Sequence, residues 1–260
     1  GGYESGRGAY RPTGVARFRP GGPGRHCRWI APGIRKSSGK HGGSTALDRY
    51  EQRAAIVMNS VTKYLLRDFG TLLNYPAFTK PRPDIGYVTR YAPGLRENGG
   101  VYTHAATWAV WAYTLVGQPN LAYEAYRRIC PPNRSGDIDT YKAEPYVTPG
   151  NIDGPLSEYY GRGGWTWYTG AAGWMYRLIT ESLLGFKKED DTLYIEPCLP
   201  AEWGGFSMHY RYKKTFYRIV VTVTPERKKE KTVLLDGIRQ EEKAVLLTND
   251  GIDHQVDVIL

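Results

Sequence analysis

The hydrophobic period of this chain changes once, and that change limits the folds open to it. From residue 47 to 184, apolar residues recur at helical spacing inside segments separated by Gly- and Pro-rich stretches. After Asp191 the period becomes two. The chain therefore reads as helices first and a small β unit afterwards: mainly α, then β. Residues 47–69 predict a helix, with Leu47, Ala54, Ile56, Val57, Val61, Leu65 and Leu66 roughly on one side. Residues 101–116 predict a second helix, and Gly117-Gln118-Pro119-Asn120 a turn. Pro119 suits the first position of a third helix running to about Cys130. A fourth runs from Thr169 to Leu184, with Gly185 as its stop. Leu193 to Ile195, Ser207 to Tyr212, Phe216 to Val223, Thr232 to Leu235, Ala244 to Leu247 and Gln255 to Leu260 read as strands. No internal repeat is visible.

Residues 1–47 fit neither period. They hold twelve Gly and four Pro, a composition too poor in apolar area to offset chain entropy, so a disordered head is expected there. The same stretch explains the charge. The chain carries a net +9, but residues 1–50 hold ten Lys and Arg against two acids, Glu4 and Asp48, which leaves +1 for the remainder. A nucleic-acid partner is therefore not expected, although a basic arm would allow one. Three cysteines, Cys27, Cys130 and Cys198, lie far apart, which excludes a zinc knuckle and argues against a disulfide scaffold. A reducing compartment, the cytoplasm, fits that usage. The longest apolar stretch, Ala105 to Val116, has twelve residues, against roughly 20 for a membrane span.

Two short stretches carry candidate chemistry. In Arg96-Glu97-Asn98-Gly99-Gly100-Val101-Tyr102-Thr103-His104, a Gly pair permits close backbone approach, and a helix then opens with His104 in its first turn. Free N–H groups and the helix dipole make such a turn an anion site. His104 either adds a donor there or merely caps and packs. In Gly161 to Gly170, Thr169 is a candidate N-cap and Gly170 offers an unhindered N–H, while Trp165, Trp167 and Tyr168 supply aromatic surface for a sugar ring or for a core cluster. Two such helix starts beside a carboxylate and tryptophans suggest a ligand bearing hydroxyls and phosphate.

These residues also carry a resemblance. Ile85-Gly86-Tyr87, Tyr91 to Glu97, Asn98 to Ala106, Glu144-Pro145-Tyr146-Val147 and Gly161 to Tyr176 resemble glycoside hydrolase family 94, the family of inverting disaccharide and oligosaccharide phosphorylases. Within it, GRGGWTWYTGAAGWMYR and LRENGGVYTHAATW are most similar to the C-terminal region of cyclic β-1,2-glucan synthases and 1,2-β-oligoglucan phosphorylases. Tyr194 to Pro200 and Trp203 fit the join to the family's C-terminal β domain. The likeness covers about residues 52–225.

The resemblance implies an (α/α)6 barrel followed by a small β-sandwich, here a partial barrel over residues 48–190 and a β domain over 191–260, behind the unassigned head. It implies glycosyl transfer with inversion, in which phosphate attacks the anomeric carbon of a β-1,2-linked gluco-oligosaccharide to give α-glucose 1-phosphate. Inverting hydrolases need a second carboxylate to activate water; a phosphorylase places bound phosphate there instead. By motif, the resemblance implies His104, Thr169 and Gly170 as phosphate ligands and Glu97 and Arg96 as residues facing sugar; the aromatic surface of Trp165 and Trp167 is expected to stack on it. No metal or cofactor is implied; inorganic phosphate is the co-substrate. A homodimer is expected of the full-length enzyme, and inner-membrane association of full-length cyclic glucan synthases. The family's general-acid Asp lies upstream in an Asp-Trp-Asn-Asp pattern that this sequence lacks. A C-terminal fragment without turnover is expected, its head an unrelated or out-of-frame junction. Rival readings are a non-catalytic carbohydrate-binding module and a hydrolase on the same barrel, which would draw its base from Glu144 or Glu158.

Overall fold

A computed structural model describes residues 46–134, 136–224 and 231–260. The expectation of a disordered head concerns residues that, up to position 45, lie outside those described. Residues 48–260 form one compact unit.

The helical part begins with α1 (Ala46–Ser60), which passes directly into a π turn over Val61–Leu65. The helix expected over 47–69 therefore changes pitch at Val61 and ends in a short hairpin, β1 (Leu66–Arg67) and β2 (Gly70–Thr71). After a long loop come β3 (Val101–Tyr102), α2 (Thr103–Leu115) and α3 (Pro119–Ile129). Two local devices stop α2 and restart the chain. Gly117, at φ 69°, sends its N–H to Thr114 O at 3.1 Å while Gln118 N–H reaches Tyr113 O at 3.0 Å, a Schellman closure that needs the left-handed residue a glycine supplies. Pro119 then occupies the first helical position, where its missing N–H costs nothing.

Helices α2 and α3 pack through Ala106, Val110 and Tyr113 on one side and Ala122, Ala125 and Ile129 on the other, all buried. Alanines at 122 and 125 let the two backbones approach. Short elements follow: α4 (Ile138–Tyr141), β4 (Asn151–Ile152) and β5 (Gly163–Gly164). Next comes α5 (Thr169–Arg177), which runs into a second π turn, Leu178–Leu183. Met175, Leu178 and Leu183 join the α2–α3 core.

The β part starts earlier than the period-two segments suggested. β6 (Phe186–Glu189) pairs with β7 (Thr192–Ile195). The long pair β8 (Gly205–Tyr212) and β9 (Thr215–Thr222) is followed by β10 (Thr232–Leu235), β11 (Ile238–Arg239), β12 (Val245–Leu246) and β13 (His254–Ile259). One sheet has the order β11-β10-β13-β9-β8, with β13 and β9 parallel and the other pairs antiparallel; a second has the order β12-β7-β6. Inward residues of both sheets, among them Leu193, Ile195, Tyr217, Ile219, Val245, Val256 and Val258, make one cluster. Phe206 packs against both this cluster and the helical core.

The fold is thus mixed, helices followed by sheets. Five α-helices occur among the described residues, fewer than six hairpins need, so those residues do not close a ring. No helix among them is long and apolar enough to cross a membrane.

Candidate functional site

A three-stranded sheet of two-residue strands assembles the site. β4 lies in the middle, with Asn151 opposite Tyr102 on one side and Gly164 on the other. Each outer strand leads at once into a helix or its approach: β3 into α2, and β5 through Trp165–Tyr168 into α5. The segment before β4 ties both helix starts. Gly150 O accepts from Thr103 N at 3.1 Å and Thr148 O from Tyr168 N at 3.0 Å. The phenols of Tyr102 and Tyr168, each immediately before its helix, lie 3.1 Å apart in a hydrogen bond. That bond, with burial adding to it, pushes the Tyr102 hydroxyl up to about 12. The phenol is therefore neutral at ordinary pH, a donor or acceptor rather than a charge.

The two helix starts meet at His104 and Gly170. A Cβ placed on Gly170 would stand 3.5 Å from His104 Nδ1. First-turn amides have no acceptor within their own helix, so the positive ends of α2 and α5 converge on the imidazole. Thr169 is the first residue of α5 and Tyr168 its N-cap, with no side-chain cap bond; the expectation of a Thr169 cap is corrected on this point. The reason is local: Tyr168 already has its N–H on Thr148 O, which fixes the chain one residue before Thr169.

Arg96 and Glu97 stand on the loop before β3. Arg96 Nε lies 3.4 Å from Glu97 Oε2, an ion pair without hydrogen-bond alignment. The guanidinium also covers the rings of Trp165 at 4.9 Å and Tyr91 at 5.3 Å. Glu97 is close enough to Tyr102 to contribute to its raised titration. Six buried side-chain polar atoms lack a hydrogen-bond partner among the described residues, and three of them cluster in this stretch: Glu97 Oε2, Thr103 Oγ1 and His104 Nε2. Buried polar groups are almost always paired within a fold, so three without a hydrogen bond in one stretch set it apart from the rest of the described residues.

The backbone is strained at the same place. Arg96 (φ 47°), Trp165 (φ 50°) and Trp167 (φ 63°) are bulky residues in the left-handed region, which costs of order 1–3 kcal/mol each and persists where surrounding contacts enforce it. For Arg96 the enforcing contact is its N–H on Asn151 Oδ1 at 2.6 Å. Asn151 in turn donates to Asp153 Oδ1 at 2.7 Å, and Ser157 Oγ to Asp153 Oδ2 at 2.7 Å. Gly154 lets this strand pass the Arg96–Gly100 loop: a Cβ there would lie 1.9 Å from Gly99 O. Asn151 and Asp153 carry no sequence motif and were not anticipated; only the positions of the loops in space reveal them. Asn98 was nearer to legible, as the polar residue of a Glu-Asn-Gly-Gly turn.

The structure brings His104, Thr169 and Gly170 together, and Arg96, Glu97 and Trp165 together beside them. It separates Trp167 from Trp165. Trp167 has other partners: its indole N–H donates to Glu144 Oε1 at 3.1 Å and its ring meets Tyr146 at 6.2 Å, edge to face. His104 also packs edge-on against Trp108 of the same helix at 5.3 Å, with Trp174 of α5 at 6.3 Å. Among the described residues, no group of His, Cys, Asp and Glu is placed to hold a metal ion.

Comparison with known proteins bears on the same residues. The family model described as glycosyl hydrolase 94 superfamily, catalytic domain, matches residues 44–185. The chain is 44% identical over 152 residues to the cyclic β-(1,2)-glucan synthase NdvB of Rhizobium meliloti, a match covering 56% of this chain and 5% of that protein. It is 35% identical over 211 residues to an N,N'-diacetylchitobiose phosphorylase of Vibrio furnissii, covering 81% of this chain and 26% of that one. It is 30% identical over 210 residues to a solabiose phosphorylase of Paenibacillus borealis, covering 80% and 27%. The chain therefore spans about a quarter of the phosphorylases it matches and far less of the synthase. The family match takes in both helix starts, the small sheet between them and the Arg96–Glu97 loop, and by that match the chain belongs to the glycosyl hydrolase 94 superfamily.

Proposed function

We propose that this chain supplies the phosphate- and sugar-binding part of a phosphorylase-type glycosyltransferase that acts on β-1,2-linked gluco-oligosaccharides. The observation that carries the reading is the convergence of two helix starts on His104 beside Gly170, with buried polar atoms that make no hydrogen bond at Glu97, Thr103 and His104. An inverting attack by water needs a carboxylate on the attacking side. Here the groups that converge are amides and an imidazole, which suit an anionic nucleophile. Inorganic phosphate at His104, Thr169 and Gly170 fills that role. Glu97 accepts from sugar hydroxyls, Arg96 meets the acceptor unit, and Trp165, with Arg96 lying on its ring, borders both. The β-1,2 preference rests on the 44% identity to a cyclic β-(1,2)-glucan synthase. No metal or cofactor enters this scheme, nor does nucleic acid.

The proton for the leaving oxygen comes, on this reading, from a carboxylic acid on a segment beyond these residues. Glu97 is paired with Arg96, and Glu144 accepts from the Trp167 indole. The helices present Ile56, Val57, Trp108 and Tyr176 exposed, the surfaces on which further hairpins of an (α/α)6 barrel would pack.

The test uses α-glucose 1-phosphate, which carries both halves of the ligand. Added to the 260-residue chain, it is expected to move the Gly170 amide, the His104 ring and the Glu97 amide together in two-dimensional NMR. Phosphate alone should move only the first two. The chain should release no glucose 1-phosphate from oligosaccharide and phosphate. Turnover would refute the external acid, and α-glucose 1-phosphate without effect at Gly170 and His104 would refute the site.

A further inference from the structure

Trp167 is the one expected sugar-contact residue that the fold removes from the Arg96–Glu97 site, and its surroundings are not those of a misplaced core residue. Its ring is 63% exposed, yet held twice. The backbone is in the left-handed region at φ 63°, and the indole N–H is bonded to Glu144 Oε1 at 3.1 Å. Tyr146, 73% exposed, abuts it at 6.2 Å. A solvent-facing indole gains nothing from burial, so strain and a hydrogen bond spent on fixing it go toward preorganisation; a ring already in its binding pose loses little side-chain entropy when a ligand stacks on it.

Beside this ring, sharing Glu144 as a wall, lies an open cleft of about 600 Å³. Asp139, Lys142, Glu144 and Thr166 line it, and Ile138 and Ala143 are its apolar residues. The size suits a small ligand. The lining offers charged donors and acceptors of both signs, and the Trp167 ring stands next to it through the shared Glu144. That combination does not favour a lipid or a bare anion. It suits a neutral polyhydroxylated ring, whose C–H face stacks on indole and whose hydroxyls both donate and accept.

We propose that the cleft walled by Glu144, beside Trp167, is an outer saccharide-binding site for a neutral gluco-oligosaccharide. Trp167 stacks on one ring, and Asp139, Lys142 and Glu144 hold its hydroxyls. The site rests on the saccharide reading above but not on its phosphate chemistry. Trp165 and Trp167 are two residues apart, so their backbones are separated by at most about 7 Å. Their side chains have different partners, Arg96 for Trp165 and Glu144 for Trp167. Neighbouring units of a single chain can therefore engage both. The outer site would hold long substrates and give disaccharides little.

The experiment follows the Trp167 indole N–H resonance, identified by its loss in Trp167→Phe, during titration of the 260-residue chain with a β-1,2-linked glucose tetrasaccharide and no phosphate. The resonance is expected to shift with saturation. Trp167→Ala should weaken the tetrasaccharide about tenfold, while Trp167→Phe, which keeps a stacking ring, should stay within about threefold. Because the ring is exposed, both variants should melt as the parent does. A resonance that does not move, a tetrasaccharide that does not bind, or Trp167→Ala within twofold of the parent would overturn the proposal. A phosphate response at His104 with a silent Trp167 removes this site alone. A Trp167 response without a phosphate effect removes the phosphate reading instead.

Discussion

Asn98 carries more of the site than its small side chain suggests. It is fully buried, its Oδ1 accepts from Phe78 N at 2.7 Å, and its Nδ2 donates to Phe78 O at 2.9 Å and Tyr91 O at 2.8 Å. One amide thus pins two distant parts of a loop that has almost no regular structure, and by doing so fixes Arg96 and Glu97. Asn98→Ala would orphan three backbone groups at roughly 1 kcal/mol or more each, so a loss of about 2–4 kcal/mol is expected in urea unfolding. A loss below about 0.5 kcal/mol would show that the loop is held by other means. The same logic explains what the sequence did and did not disclose at this scale. His104, Gly170 and Trp165 sit in dense local motifs and could be picked out by residue type. Asn151 and Asp153 act across space, through bonds to Arg96 and Ser157, and no local pattern marks them. Trp167 was legible as an aromatic for a sugar ring or a core cluster, but not its direction, which depends on a left-handed backbone and on Glu144.

Helices α2, α3 and α5 were readable because period, glycine stops and Pro119 agree over whole segments. The π turns at Val61–Leu65 and Leu178–Leu183 were not, since an apolar stripe does not reveal a change of pitch. β6 was missed because its residues are mostly exposed and show no alternation, and β3, β4 and β5 because two residues cannot establish a period. Yet those three strands position the site. At the far end, β13 carries a clamp that is open to a pH test. His254 Nδ1 meets Asp236 Oδ2 at 2.6 Å and Nε2 meets Asp250 Oδ2 at 3.1 Å, with the imidazole stacked on Tyr217. The Asp236 hydrogen bond raises the His254 titration, with Asp250 adding to it against a desolvation penalty. Asp236 is lowered by the Gln255 backbone N–H and then by His254; Asp250 is held well below its usual range by the Ile252 N–H and by Thr248. A histidine raised on folding stabilises fully below its unfolded value, near 6.5, and loses that contribution as pH rises through the folded value. The carboxylates work oppositely, losing theirs as pH falls through the acid range. The parent should therefore melt higher near pH 6 than near pH 9. His254→Gln should shrink that difference, and an unchanged difference would show that the clamp does not depend on its proton.

Taken whole, residues 48–260 join a helical core and a two-sheet core through Phe206. The order of these parts followed from the single change of hydrophobic period. The net charge of +9 sits mostly in residues 1–50, while the family match runs over residues 44–185, where the site lies. Phosphate binding depends on the space between the two helix starts, and Gly170→Ala acts on stability and on binding with opposite signs. A Cβ there meets His104 Nδ1 at 3.5 Å, an ordinary contact, and Ala is the better helix former, so stability should hold or rise slightly. The methyl would nevertheless stand where the anion must approach the amide. Isothermal titration of the parent and Gly170→Ala with inorganic phosphate is the direct measurement. Saturable binding to the parent is expected, and at least tenfold weaker binding to an equally stable variant. Equal phosphate affinity in the two proteins, or none in the parent, would contradict it.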